Sequence, residues 1–429
     1  MRVSVFWFRR DLRLEDNIAL YQSLQSKHNV LPIFIFDKDI IGELDENDAR
    51  VNFIYETLSK IDNELKKHNS SVKIFNSSVR EAWEELISQY DVAEVFFNED
   101  YEPYAQQRDT EITELLEQNG TLVHSFTDHV MFKPGTILKA DGLPYTVYTP
   151  FKNKWLSHFE NNQPAKLPAI NYSNFLTEKF EFPSLEGIGF SKSTIQVEAF
   201  NLSELDNYEK TRDIPSLDAT SYLGPHLRFG TVSVRNIVRM LKPSNAVFLS
   251  EIIWREFFIQ IMFHFPRVVN ENFKKKYNGI VWRNNEQEFE KWCKGKTGYP
   301  IVDAGMRQLN ETGYMHNRVR MITASFLCKH LLIDWKWGEA YFAEKLLDFE
   351  LASNNGNWQW VAGTGCDAAP YFRVFSPSAQ TLKFDSKLTY IKKWVPELNE
   401  IDYQPMVDHK MARERALLTY KEGLGNILS

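Results

Sequence analysis

Short apolar runs alternate with longer amphipathic stretches at the start of the chain. The runs are VSVFWF, VLPIFIF, VKIF and VAEVFF, and the stretches include RVNFIYETLSKIDNELKKH and RDTEITELLEQNG. The β-branched and aromatic runs have the length of buried strands, whereas the stretches have the period of amphipathic helices. This alternation predicts a doubly wound parallel sheet, and we expect an α/β N-terminal domain over residues 1–130.

The turn after the first run lacks a dinucleotide fingerprint. The chain continues there as FRRDLRLEDN, with no glycine where a G-x-G-x-x-G turn requires one. The sheet is therefore not predicted to be a standard NAD or FAD site.

The hydrophobic pattern changes after residue 130. Residues 131–200 contain frequent glycine and proline without lasting periodicity, which predicts a long connector on the surface. Strand signals then fade, and apolar stretches such as AVFLSEIIWREFFIQIMFHF and NRVRMITASFLCKHLLIDW predict buried helices. We expect an all-α C-terminal domain over residues 201–429.

Composition is that of a globular protein. With 429 residues, 43% of them hydrophobic, the chain is long enough for two or three domains with large cores. No run of about 18 apolar residues occurs, and MRVSVFWFRRDLR becomes charged too early for a signal peptide, so we expect a cytoplasmic protein without membrane contact. Cys293, Cys328 and Cys366 are far apart, which predicts neither a disulfide nor a metal site.

The formal net charge of -7 is unevenly distributed. Residues 251–429 carry 24 lysines and arginines against 21 acidic residues, whereas residues 1–250 carry 26 against 36. A protein that binds DNA only through nonspecific phosphate contacts is usually basic throughout, so the balance argues against a DNA coat protein. It leaves open a local basic face in the C-terminal half or an ordinary solvated surface.

Tryptophans and polar residues occur together in the C-terminal half, where eight of the eleven tryptophans follow residue 250. Three stretches combine them at helical spacing or in a short segment: Glu251, Trp254, Arg255 and Phe258 in SEIIWREFF; Asn317, Arg320 and Met321 in MHNRVRM; and Asp348, Glu350, Asn354, Trp358 and Trp360 in LLDFELASNNGNWQW. Such faces predict a cavity for a large planar ligand that forms hydrogen bonds. The alternative is a helical bundle with salt bridges between its helices.

Ten motifs together resemble the photolyase and cryptochrome family. They are WFRRDLRLEDNIAL, YEKTRD, TSYLGPHLRFG, SEIIWREFF, KTGYPIVDAGMRQL, GYMHNRVRM, FLCKHLLIDW, ASNNGNWQW, GTGCDAAPYFRVFSP and VDHKMARERAL. The resemblance runs from residue 3 to about residue 416 and is strongest to class I cyclobutane pyrimidine dimer photolyases. It implies an α/β antenna domain, a helical FAD-binding domain and light-dependent repair of pyrimidine dimers in DNA.

The same resemblance implies the residues that bind FAD. They are Tyr208, Thr220, Ser221, Tyr222, Leu223, Gly224, Arg255, Arg320, Asp348, Phe349, Glu350 and Asn354. Tyr208 and the loop 220–223 are expected to wrap the pyrophosphate. Gly224 stands where the family usually has serine, so one phosphate contact is expected to come from a backbone N–H. Arg320 and Asp348 are expected at the isoalloxazine edge and Asn354 near flavin N5.

A pocket for a flipped-out dimer is implied next to the flavin. Its expected residues are Glu251, Trp254, Asn317, Met321 and Trp360, and those expected to hold the DNA backbone are Arg212, Arg318 and Gln380. Trp254 and Trp360 are expected to pack against the dimer. Glu251 is expected to hydrogen-bond a base and to stabilise its radical anion, and Asn317 joins it as a catalytic residue.

Three tryptophans coincide with the family's electron relay from the surface to the flavin: Trp358, Trp335 and Trp282. Trp358 and Trp335 lie on different predicted helices, as a path across a helical bundle requires. The alternative is that each is an ordinary large core residue.

One position distinguishes the branches of the family. Enzymes that repair (6-4) photoproducts and animal cryptochromes resemble each other in having a second histidine where this chain has Asn317 after His316, and asparagine cannot donate the required proton. We therefore expect repair of cyclobutane dimers. The absence of a long C-terminal extension also argues against a signalling cryptochrome. The alternatives are a DASH-type cryptochrome and a blue-light flavoprotein sensor without repair activity.

The resemblance also implies partners and a second chromophore. The expected partner is UV-damaged DNA, and the expected state is a monomer. The N-terminal sheet is expected to hold an antenna, either a folate or a deazaflavin. Ala105 in EPYAQQRD stands where the folate-binding type usually has glutamate, which argues against folate.

Overall fold

The computed structural model describes residues 1–400 and 403–425, which form two compact units. One unit consists of residues 1–136, 157–200 and 223–241, and the other of residues 137–156, 201–222 and 242–429. The units alternate along the chain. The domain boundaries expected from the sequence, 1–130, 131–200 and 201–429, stay a prediction.

The first unit contains a five-stranded parallel sheet in the order β3-β2-β1-β4-β5. The strands are β1 Arg2–Phe8, β2 Val30–Asp37, β3 Lys73–Ser77, β4 Asp91–Asn98 and β5 Leu122–Phe126. Val5 of β1 pairs with Leu31 of β2 on one side and with Val95 of β4 on the other. Strands β1 and β2 are buried along almost their whole length, as expected for a sheet covered on both faces. The sheet confirms the predicted α/β fold.

Helices make up most of the remaining regular structure. In chain order they are α1 Ile18–Ser23, α2 Lys38–Ile41, α3 Ala49–Lys66, α4 Val79–Gln89, α5 Pro103–Gln118, α6 Tyr148–Asn161, α7 Tyr208–Thr211, α8 Leu223–Arg228, α9 Val234–Met240, α10 Ala246–His264, α11 Glu286–Cys293, α12 Pro300–Thr312, α13 Asn317–Ser325, α14 Trp335–Lys345, α15 Leu351–Ala362, α16 Pro377–Phe384, α17 Thr389–Trp394 and α18 His409–Gly425. Helices α7 and α10–α18 belong to the second unit, which confirms the predicted helical C-terminal region.

Capping side chains explain where several helices begin. Ser78 and Glu81 form a capping box at the start of α4, and Asp48 accepts two backbone N–H bonds at the start of α3. Asn285 caps α11 and Asp334 caps α14 in the same way. These side chains satisfy backbone donors that a helix leaves without partners at its N-terminus.

Two glycines allow helices of the second unit to approach closely. A Cβ atom on Gly338 of α14 would lie 2.1 Å from the ring of Trp358 in α15, and one on Gly356 of α15 would lie 2.1 Å from the ring of Phe258 in α10. A larger residue at either position would push the helices apart. Helices α10, α14 and α15 therefore pack tightly, and two of the three motif segments lie side by side. Within the described part of the chain, no helix is long and apolar enough to cross a membrane.

Candidate functional site

A salt bridge joins α10 to the start of α15. Arg255 donates from Nη2 to Glu350 Oε1 at 2.9 Å, and Ser353 Oγ donates to Glu350 Oε2 at 3.0 Å. Glu350 is buried, whereas Arg255 is half-buried. A buried carboxylate with two donors is held in one position, so the contact between Arg255 and Glu350 holds α10 next to the start of α15.

A second arginine and carboxylate pair connects α13 with the segment before α15. Arg320 donates from Nη1 and Nη2 to the two oxygens of Asp348 at 3.0 and 2.8 Å. Arg320 Nε also donates to the carbonyl oxygen of Met315 at 2.7 Å. The bidentate geometry holds both planar groups in fixed orientation. The structure thus brings together the two residues expected at the isoalloxazine edge.

The amide of Asn354 is oriented by α14. Its Nδ2 donates to the backbone oxygen of Glu339 at 3.0 Å, and this leaves the Oδ1 end to accept from a ligand N–H. The carboxylate of Glu339 accepts from Asn355 Nδ2 at 3.1 Å, and burial raises the pKa of Glu339 to about 7. A carboxyl that exchanges protons near neutral pH therefore lies next to the residue expected at flavin N5. No signal in the stretch WKWGEAYFAEK distinguishes Glu339 from a surface residue.

Trp254 is half-buried on α10 and lies among other aromatic rings. The ring of Tyr148 stacks on it with centroids 3.6 Å apart and planes 8° apart. The Tyr148 hydroxyl donates to the backbone oxygen of Ser250 at 2.7 Å, which fixes the tyrosine ring. Sequence reasoning missed Tyr148, because it falls in the predicted connector. The ring of Phe258 also lies near Trp254, with centroids 5.5 Å apart and planes tilted by 30°, so a ligand could contact only the exposed part of the indole.

Two ion pairs at this site are only half-buried, and both are formed by arginines expected to bind DNA. Arg212 donates from Nη1 to Glu251 Oε1 at 2.5 Å, with side chains 25% and 33% exposed. Arg318 donates from Nη2 to Asp213 Oδ1 at 2.7 Å, with side chains 18% and 41% exposed. We call these two contacts the open pairs. Burial raises the pKa of Glu251, and the charge of Arg212 opposes that effect.

His316 and Asn317 have different environments at the start of α13. His316 is buried, and its Nδ1 accepts the backbone N–H of Arg318 at 3.2 Å. Burial and the nearby charge of Arg320 lower the pKa of His316 to about 4. The imidazole is therefore neutral at neutral pH and acts as a helix cap. Asn317 is exposed beside it.

The three tryptophans of the expected relay lie in one helical unit at different depths. Trp358 and Trp335 are 2% and 1% exposed in the main apolar core, and Trp282 is half-buried at the edge of that core. The ring contacts of Trp358 are with Phe342 and Trp292, at centroid distances of 4.9 and 6.2 Å. In the described residues, no direct ring contact joins the three tryptophans to one another, so the relay stays a prediction.

The expected pyrophosphate loop is held by local contacts. The backbone N–H of Asn201 donates to the Ser221 carbonyl at 2.8 Å. Tyr222 adopts a left-handed conformation with φ of 52°, and its hydroxyl donates to Asp218. Thr220 is half-buried nearby in the chain. Non-glycine residues in this conformation are uncommon and occur preferentially at functional sites.

The remaining expected residues have fewer polar contacts. Tyr208 packs edge-on against Phe248. Phe349 and Trp360 pack against the main apolar core, and Met321 is half-buried at the sulfur contact with Arg318. Gln380 lies in α16, and no side-chain hydrogen bond joins it to the other site residues within the described chain. Leu223 and Gly224 begin α8, which belongs to the first unit.

The polar groups of the second unit suit a flavin nucleotide. Fixed guanidinium groups, the amide of Asn354 and hydroxyls are of the kind that complements the ring edge and the phosphates, and aromatic rings supply apolar walls. The chemistry of these donors therefore fits FAD. In the first unit, Ala105 is buried in α5 and offers no polar side-chain group to a folate.

Comparisons with known proteins agree with this geometry. A family model for DNA photolyase matches residues 4–170, and a model for the FAD binding domain of DNA photolyase matches residues 248–413. A deoxyribodipyrimidine photo-lyase of Vibrio cholerae is 36% identical, with 99% of this chain and 100% of that protein covered. A bacterial class III photolyase from Agrobacterium tumefaciens has a TM-score of 0.86 at 33% identity, with 99% and 98% covered. An archaeal photolyase from Sulfolobus tokodaii with two FAD molecules has a TM-score of 0.83 at 32% identity, with 98% and 100% covered.

The chain belongs to the DNA photolyase and cryptochrome family and contains its FAD-binding domain. The family and the cofactor FAD were both expected from the sequence motifs, and the matches confirm them. The Sulfolobus protein holds two FAD molecules, whereas a second chromophore in this chain, and its identity, stay predictions.

Proposed function

We propose that the protein repairs cyclobutane pyrimidine dimers in DNA under light. The observation that carries the proposal is the face of α10, where Trp254 and Glu251 lie one turn apart and Arg212 binds Glu251. An aromatic plane, a carboxyl group and an arginine are the groups that recognise an extruded base and its phosphate. Relatives named deoxyribodipyrimidine photo-lyase over nearly the full chain support this reading.

We assign cofactor binding to other polar groups of the second unit. Arg320 and Asp348 would orient the isoalloxazine edge, Asn354 would accept at N5, and Tyr208 with Thr220, Ser221 and Tyr222 would hold the phosphates. FAD, when bound in its reduced form, supplies under light the electron that opens the cyclobutane ring. The role of the protein is to hold the dimer next to the ring and to exclude water.

Glu251 and the tryptophans bind the dimer. A carboxyl group with a raised pKa is more readily protonated, so Glu251 can donate to a base carbonyl as well as accept from an N–H. Trp254, with Tyr148 behind it, and Trp360 would pack against the apolar cyclobutane ring. The dimer has already lost its normal stacking, which lowers the free energy needed to extrude it from the duplex.

The start of α13 supports a preference for cyclobutane dimers over (6-4) photoproducts. Repair of the latter requires a proton donor at the lesion. His316 is neutral at neutral pH because its pKa is lowered, and its Nδ1 caps the helix. Asn317 has no acidic proton at neutral pH. This part of the site therefore offers hydrogen bonds to a lesion but no general acid.

Trp358, Trp335 and Trp282 are proposed to conduct electrons from the surface to the flavin site. Trp358 and Trp335 are both buried in the core of the second unit, and Trp282 is half-buried at the edge of that core. Indole is the most readily oxidised of the apolar side chains, which suits a sequence of tryptophans to electron transfer. The direction of conduction is inward, towards Trp358.

The test uses purified protein and duplexes that each carry one defined lesion. Blue light is expected to restore cyclobutane dimers and to leave (6-4) photoproducts unchanged, and no repair is expected in the dark. Restoration in single-stranded DNA alone would indicate a DASH-type cryptochrome. Photoreduction of the flavin without any restoration would indicate a light sensor, and efficient (6-4) repair would contradict the proposed pocket.

A further inference from the structure

Both arginines expected to bind DNA phosphates are already bound to carboxylates within the second unit. Glu251 accepts from Arg212, and Asp213 accepts from both Nε and Nη2 of Arg318, at 3.2 and 2.7 Å. The side chain of Arg318 also lies over the ring of Phe384, 4.5 Å from its centroid. If a phosphate contacts either guanidinium, the guanidinium must move away from its carboxylate or be shared between the carboxylate and the phosphate.

The two carboxylates differ in what remains when the arginine is drawn away. Asp213 is 41% exposed, so water can solvate it. Glu251 is less exposed, and burial is the main influence on its ionisation. The charged groups that act on Glu251 are Arg212, Asp213 and Lys152, and the amino group of Lys152 donates to Ser250 Oγ at 2.7 Å. Loss of Arg212 would leave Glu251 poorly compensated.

We propose that the Arg212–Glu251 pair makes Glu251 a specificity-determining residue that weakens binding to undamaged DNA. Undamaged duplex offers a phosphate to Arg212 but no partner to Glu251, so the carboxylate loses its counter-ion. A duplex with an extruded dimer offers the phosphate and a base, and the base hydrogen-bonds the released carboxyl. This inference rests on the proposed function and adds discrimination to the same residues.

The physical basis is the asymmetry of a partly buried ion pair. Such a pair contributes little net stability, but removal of one partner leaves a partly desolvated charge without compensation, which is unfavourable. The unfavourable contribution arises only when the partner DNA cannot satisfy both groups. Specificity then comes from a contact that disfavours the wrong ligand, in addition to contacts that favour the right one.

The experiment measures binding in the dark, so that no lesion is repaired. The full chain with FAD is titrated with a labelled duplex that carries one cyclobutane thymine dimer and with the same duplex undamaged. The variant Glu251→Gln keeps the shape and hydrogen-bonding capacity of the side chain but needs no counter-ion. Its control is Glu209→Gln, which removes the same charge from the exposed helix α7, three residues before Arg212.

Glu251→Gln is expected to tighten binding to undamaged duplex about fivefold more than Glu209→Gln does. Binding to the dimer duplex is expected to change less than about twofold, since glutamine still bonds a base. The preference for damaged DNA therefore falls. The excess over the control is expected to persist as salt is raised, because it does not arise from long-range charge.

A second variant tests whether Arg212 and Glu251 affect DNA binding together or independently. Arg212→Gln is expected to weaken binding to undamaged duplex more strongly in the Glu251→Gln protein than in the wild type, because only there is the arginine free to bind phosphate. Equal effects of Glu251→Gln and Glu209→Gln on undamaged binding would overturn the inference and leave the proposed function intact. A wild type without preference for the dimer duplex would overturn both.

Discussion

Pairs of arginine with a carboxylate occur in both units, but they differ in burial and in what surrounds them. In the first unit, Asp128 accepts from Arg13 and Arg235, and Arg235 also bonds Asp16. We call these four residues the closed network, and their side chains are between 2% and 8% exposed. In the second unit, the open pairs are between 18% and 41% exposed.

The difference separates two uses of the same chemistry. In the closed network, Arg13 and Arg235 lower the pKa of Asp128 to about 2 although burial opposes them, so the carboxylate stays charged and fixed. A ligand cannot replace such a partner without unfolding its surroundings. In the open pairs, the side chains of Arg212 and Arg318 are 25% and 18% exposed, so water can reach the guanidinium groups. Burial and multiple partners thus mark a structural ion pair, and partial exposure with a single carboxylate marks an exchangeable one.

The largest expected effect concerns Trp358, a buried residue that is proposed to transfer electrons as well as to pack in the core. Trp358→Phe should leave FAD bound but abolish rapid photoreduction, because phenylalanine fills the space yet is much harder to oxidise. Trp337→Phe in α14 is the matched control, since Trp337 packs against Phe289 outside the proposed relay. Flavin absorbance is followed under blue light. Unchanged photoreduction in Trp358→Phe would show that the relay is assigned to the wrong residue.

The next effect tests whether the closed network is structural. Asp128→Ala should lower the free energy of unfolding by about 3–5 kcal/mol, because two buried arginines lose a shared partner. Asp91→Ala removes an exposed partner of Arg2 and should change stability by less than about 0.5 kcal/mol. Chemical denaturation of both variants gives the comparison. A small loss for Asp128→Ala would remove the distinction between the closed network and the open pairs.

A third effect concerns the pH dependence of stability. His316 has a pKa of about 4 in the folded protein and about 6.5 when unfolded, so its contribution is present above pH 6.5 and is lost as the pH falls towards 4. Wild type should lose about 2 kcal/mol from this group between pH 7.5 and pH 5. His316→Asn keeps a capping side chain but does not titrate. Equal pH dependence in the two proteins, measured by denaturation, would contradict the buried neutral cap.

The fold and the helix faces were readable from the sequence because they depend on local periodicity. Four apolar runs became β1 to β4, and Glu251, Trp254 and Arg255 share α10 as predicted. Strand β5 was missed, because its five residues LVHSF are mostly half-exposed and mix polar with apolar types. Helix α6 was missed within the predicted connector, since Pro150 suggested a break although proline is tolerated in the first turn.

The contacts that define the open pairs could not be predicted from the periodicity of the sequence. Arg212 and Glu251 are 39 residues apart, and Arg318 and Asp213 are 105 apart. The family resemblance gave these arginines a role with DNA, but it gave no reason to expect carboxylate partners in the free protein. Tyr148 stacks on Trp254 across a similar separation. Tertiary contacts between distant segments have no periodic signal, so only the structure reveals them.

A smaller effect tests the aromatic part of the open site. Trp254→Ala should weaken binding of dimer-containing duplex by about 1–2 kcal/mol through lost packing. Tyr148→Ala should weaken it less, by about 0.5–1 kcal/mol, because Tyr148 supports Trp254 and need not touch the lesion. Titrations in the dark measure both. A larger loss for Tyr148→Ala than for Trp254→Ala would reverse the assigned roles.

The most direct test of a lesion site at the open pairs is the repair yield of Glu251→Ala at saturating dimer duplex. We count restored dimers per absorbed photon for wild type, Glu251→Ala and the exposed control Glu209→Ala. The yield of Glu251→Ala should fall about fivefold, because a hydrogen bond to the reacting base is lost, whereas Glu209→Ala should match wild type. An unchanged yield in Glu251→Ala would show that the dimer does not react at this face of α10.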